Sequence, residues 1–128
     1  MGESKLFNSI KTHMIPDLVH SEKRFTKWDC WTETYQLHIE LKCRYQHYDD
    51  LLIEKSKWDY LSQLNTGVRY ICSTPEGVYS FNIKEIPEPV WEFKRLPSTT
   101  ERGKAHWYDK EVGYININQG INITHLIN

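Results

Sequence analysis

A chain of 128 residues with 39% hydrophobic, 13% aromatic and 26% charged residues has enough apolar side chains for a core, which excludes a disordered protein and predicts one domain over residues 1–128. A formal net charge of −1 excludes binding through a global basic field, so any nucleic acid has to be held by a local patch. No stretch approaches the roughly 18 apolar residues that span a membrane, the N-terminus lacks an apolar secretory core, and three cysteines without C-x-x-C spacing argue against a disulfide framework. A cytoplasmic protein in a reducing compartment, with no membrane partner, is the expectation.

Leu6, Ile10, Met14 and Leu18 recur at near-helical spacing and Pro16 interrupts them, which predicts a broken helix before about residue 22. Residues 24–31 favour a strand. In residues 36–44 the alternation is clean, with Leu37, Ile39, Leu41 and Cys43 on one face and His38, Glu40, Lys42 and Arg44 on the other. These two strands are expected to pair through a turn at residues 32–35. Leu51, Leu52, Trp58, Leu61 and Leu64 fit a helical stripe over residues 48–64, ended by Asn65-Thr66-Gly67. Residues 68–73 and 78–83 read as a hairpin about Thr74-Pro75-Glu76-Gly77. Pro87, Pro89 and Pro97 break up the segment containing Trp91 and Phe93, residues 98–104 read as an exposed loop, and residues 112–117 as a late strand. The order predicts a mixed α/β domain with a central sheet flanked by helices.

Glu40 and Lys42 are two apart on a strand, so both side chains face one site while Leu41 points into the core. Asp29, at the end of the preceding strand, comes within reach of Glu40 if the strands pair. Two carboxylates suit Mg²⁺ or Mn²⁺, which acidifies bound water and neutralises charge developing on a phosphate. Lys42 then orients the water or stabilises the transition state. Arg44 continues that face, and Arg44, His47 and Lys55 are candidates to meet a DNA backbone. On pattern alone, an E-x-K pair is more often part of a solvated face. Lys55 and Lys57 lie near Glu54 and Asp59 and read more as surface ion-pair residues than as DNA or active-site contacts. His38 reads as a structural or phosphate-facing neighbour. The histidines lack H-x-x-x-H spacing, which argues against zinc, and no nucleophile elbow or glycine-rich phosphate loop is present.

Asp29, then Glu40-Leu41-Lys42 after a hairpin, then a helix, resembles the PD-(D/E)xK nuclease superfamily. The run from Ile39 to Lys55 is similar to small bacteriophage-encoded members. The resemblance implies a restriction-endonuclease-like fold and a metal-dependent endodeoxyribonuclease, acting in a host cytoplasm if phage-encoded. It implies Asp29 and Glu40 as ligands to Mg²⁺ (or Mn²⁺), the Leu41 carbonyl as a further ligand and Lys42 as the catalytic lysine. It also implies an acid from the first helix, for which Glu22 is the candidate, and a homodimer that cuts two strands. Two departures stand out: Trp28 precedes Asp29 in place of the proline, and the helix offers Lys55 and Lys57 rather than a glutamine. The rival expectation is a non-catalytic DNA- or protein-binding module with a nuclease-like fold.

Overall fold

Leu6 and Ile10, one turn apart on α1 (Glu3–His13), are fully buried, so this helix forms by laying a narrow apolar stripe on a sheet. It ends before Pro16. The computed structural model describes residues 1–20, 29–97 and 106–128. After α1 come β1 (Val19–His20), β2 (Asp29–Thr32), β3 (Leu37–Cys43), β4 (Asp50–Glu54), α2 (Lys55–Ser62), β5 (Gly67–Thr74) and β6 (Gly77–Asn82). They are followed by β7 (Glu92–Pro97), β8 (Trp107–Asn116), β9 (Ile121–Asn122) and two short 3₁₀ turns.

The central sheet has six strands in the order β1-β2-β3-β5-β6-β9, antiparallel except for the β3–β5 pair. A parallel pair needs a crossover, and here β4 and α2 supply it. Strand alternation divides the core between the two faces. Ile39, Leu41 and Ile71 pack with α1, whereas Val68, Tyr70, Cys72 and Phe81 pack with Trp58 and Leu61 of α2. The result is a mixed α/β fold with a central sheet flanked by helices. No helix among the described residues is long and apolar enough to cross a membrane.

The helix expected over residues 48–64 is only half helix. Asp50–Glu54 is a strand because β8 pairs with it, Asp50 against Asn116 and Glu54 against Val112, and Leu51 and Ile53 are buried at period 2. The proline-broken segment after residue 83 also contains a strand not expected from sequence, β7, which completes a three-stranded sheet β4-β8-β7. Pro97 ends β7 on the edge of that sheet, where a missing N–H costs nothing. The late strand expected at residues 112–117 starts earlier, at Trp107. Gly113 admits the chain that crosses it, since a Cβ there would stand 2.5 Å from Pro89 Cβ and 3.1 Å from the Trp91 ring. The loop expected at residues 98–104 lies outside the described residues.

Candidate active site

The β2–β3 register sets Asp29 directly opposite Glu40, so both carboxylates leave the sheet on the face that α2 covers. That face carries polar residues, yet it is not solvated: Asp29 is 0%, Glu40 4% and His38 6% exposed. His38 Nε2 lies 3.4 Å from Asp29 Oδ1, and one ligand atom from each of the three residues falls within 4.8 Å of the others. From α2, Lys57 Nζ donates to Glu40 Oε1, and the Tyr60 hydroxyl donates to Asp29 Oδ2 at 3.3 Å. These residues are three apart, so one helix face addresses the acids. Burial, reinforced by a hydrogen bond with Asp29, pushes Glu40 up to about 7 against the opposing pull of Lys57.

The donor set fits a divalent cation. His38 Nε2 is buried with no hydrogen-bond partner among the described residues, and a nitrogen lone pair beside two carboxylates is what a metal would satisfy. An imidazole ligand suits Mn²⁺ better than Mg²⁺, which prefers oxygen.

Lys42 follows Glu40 on the same face and lines, with it, a cavity of about 250 Å³ that also meets Lys57, Glu54 and Glu3. Burial first, then the nearby Arg44 charge, lowers the Lys42 pKa. Leu41 borders this cavity although its side chain is packed in the α1 core, which places its backbone at the wall. The acid that α1 brings to the cavity is Glu3, whose carboxylate accepts the Cys43 N–H at 3.4 Å. Glu22, expected in that role, lies outside the described residues, as does Trp28.

The structure therefore sets Asp29 opposite Glu40 and Lys42 beside Glu40 in one cavity, with Arg44 at the cavity wall, where its guanidinium donates to the Leu52 carbonyl. It leaves two expected contacts elsewhere. His47 is bound between Thr74 Oγ1 at 2.8 Å and Asp49 Oδ1 at 3.0 Å. Lys55 pairs with Asp59 at 2.7 Å, as the surface ion-pair reading had it. Tyr60 and Glu3 are not expected at the site from sequence, Lys57 reads there mainly as a surface ion-pair residue, and His38 as a structural or phosphate-facing neighbour. The H-x-E spacing on a strand is the signal for His38, since period 2 puts it on the face of Glu40, whereas H-x-x-x-H spacing applies to a helix.

The sequence matches no protein-family model and no curated protein. In structure the chain is similar to Hjc, a Holliday junction resolvase from the archaeal hyperthermophile Archaeoglobus fulgidus. The TM-score is 0.53 at 11% sequence identity, over 98% of this chain and 97% of that one. The likeness shows the fold, a restriction-endonuclease-like one.

Proposed function

We propose that the chain is a single-domain, divalent-metal-dependent endonuclease that hydrolyses DNA phosphodiester bonds. The observation that carries this reading is the buried Asp29–Glu40 cross-strand pair, with Lys42 lining the cavity that Glu40 meets. A solvated face has no reason to bury two facing acids, and the fold of the resolvase Hjc supports the same reading. The likeness of residues 39–55 to bacteriophage-encoded members makes a phage source part of the proposal, and action as a homodimer belongs to it as well.

Asp29 and Glu40 would hold the cation, with His38 and the Leu41 carbonyl as further donors. Bound there, Mg²⁺ or Mn²⁺ supplies an acidified water and positive charge at the phosphate. Lys57 would give up its bond to Glu40 Oε1 and take a phosphate oxygen instead. Lys42 Nζ, in a cavity dry enough to lower its pKa, would hydrogen-bond the attacking water or the non-bridging oxygen whose charge grows in the transition state. Glu3 and Glu54, whose charges favour the ammonium, would hold Lys42 in place against the repulsion of the neighbouring Arg44.

Labelled linear, nicked and four-way-branched DNA incubated with Mg²⁺, Mn²⁺ or EDTA tests this. Metal-dependent cutting should fall at least ~100-fold in Lys42→Ala and vanish in Glu40→Ala; cutting that survives Glu40→Ala sinks the proposal. One observation favours a second reading, a non-catalytic DNA- or protein-binding module: Lys57 and Tyr60 already answer both acids, as a purely structural polar cluster would. That reading requires no thermal shift with Mn²⁺, whereas the nuclease requires one that Asp29→Ala removes.

A further inference from the structure

Beside the acid cavity lies a second, larger one of about 520 Å³, and the two share Lys42, Arg44 and Leu52 along their common wall. Its outer rim carries Tyr45, Tyr48 and Tyr114, which are 89%, 60% and 38% exposed. These rings come from separate parts of the chain. Tyr45 and Tyr48 follow β3, and Tyr114 sits on β8 opposite Leu52 of β4. Lys94 of β7 reaches the same rim, its Nζ 5.8 Å from the centre of the Tyr114 ring and 3.2 Å from the tyrosine hydroxyl. The acids at the rim are Asp50, bound by Asn116 Nδ2 at 3.0 Å, and Asp49, which lies with it against Tyr48 and Tyr114 and meets His47 Nε2 at 3.0 Å. Lys42, Arg44 and Lys94 outnumber these two, so the groove is cationic although the chain as a whole is not.

Exposed aromatic faces interleaved with cations beside a phosphodiester site match one ligand chemistry. Within a continuous duplex the base faces are hidden in the stack, whereas an unpaired nucleotide offers a face to a ring and a phosphate to a lysine. We infer that this groove binds unpaired nucleotides adjacent to the scissile phosphate, so that the substrate is DNA carrying a single-stranded arm or an opened branch rather than uninterrupted duplex. Tyr45, Tyr48 and Tyr114 stack the unpaired bases, and Lys94 neutralises the backbone between them. The position of the cut relative to the arm rests on the nuclease reading; the binding itself does not.

The test is fluorescence anisotropy in EDTA, where nothing is cut, with a labelled single strand, a blunt duplex and a duplex bearing a single-stranded arm. The full chain should bind the arm-bearing DNA about tenfold or more tightly than the blunt duplex. Tyr45→Ala combined with Tyr114→Ala should remove most of that preference, Tyr45→Trp should keep it, and Lys94→Ala should weaken binding with a shallower salt dependence. A 2-aminopurine placed in the arm should be quenched on binding to the unaltered chain, a readout that needs no variant to fold. Equal affinity for blunt and armed DNA, an armed affinity indifferent to the tyrosines, an unquenched 2-aminopurine or no DNA binding at all overturns the inference. Tyrosine-dependent binding of armed DNA without metal-dependent cutting would leave the groove standing and remove the nuclease. Cutting of blunt duplex as fast as armed DNA, unchanged in the tyrosine variants, would do the reverse.

Discussion

Glu40→Gln should stabilise the metal-free protein at alkaline pH, because the carboxylate is held where its charge is unwelcome. Burial and the hydrogen bond with Asp29 raise Glu40 from its ordinary 4.5 to about 7, and Lys57 offsets this only in part. A carboxyl whose folded pKa lies above its unfolded value favours the folded state fully below about 4.5, and that advantage is lost as pH rises through about 7. The difference corresponds to about 3 kcal/mol at pH 8, and Glu40 is too deeply buried for solvent screening to reduce it much. Glutamine keeps the shape and removes the charge. In EDTA, the stability of Glu40→Gln relative to the unaltered chain, read from urea midpoints, should rise by about 2–3 kcal/mol from pH 5 to pH 8. Taking the difference cancels every group that behaves alike in both proteins. A difference that stays flat with pH, or a variant less stable at pH 8, would refute the reasoning. The same logic makes the stabilisation by Mn²⁺ grow over that pH range in the unaltered chain, because protons compete for Glu40, and not in the variant.

His38→Ala should weaken Mn²⁺ binding about tenfold or more in isothermal titration while leaving far-ultraviolet dichroism unchanged, since β3 keeps its pairing on both sides. Phe81→Ala should cost about 3–5 kcal/mol in urea unfolding, because its ring is fully buried between β6 and α2 and the rigid sheet cannot close the hole. Asp17 accepts from Thr32 Oγ1 at 2.7 Å and the Thr34 N–H at 2.9 Å, and these bonds hold its carboxyl down at about 2. Its contribution is therefore present above the ordinary value of 3.8 and lost as pH falls towards 2, so Asp17→Asn should flatten the acid limb of the stability profile between those values.

What the sequence determined by itself was local. The alternation from Leu37 to Cys43 already says that His38, Glu40 and Lys42 share a face and that Leu41 opposes them, and one short connection suffices to bring Asp29 opposite Glu40. The stripe of Trp58 and Leu61 and the Pro–Gly turn before β6 are legible for the same reason, since neighbours in the chain decide them. Asp50–Glu54 was not legible, because Leu51 and Leu52 fit a helix as well as a strand and the partner that decides, β8, lies some sixty residues further on. Nor could alternation say that the polar face of β3 is covered. That depends on α2 packing across the sheet, which buries His38, brings Lys57 and Tyr60 onto the acids and leaves Lys55 outside. The second cavity with its tyrosines is assembled from three separate stretches of chain. Period-2 geometry assigns each residue to a side, but what lies on that side is settled by long-range pairing and packing, which only the tertiary structure decides.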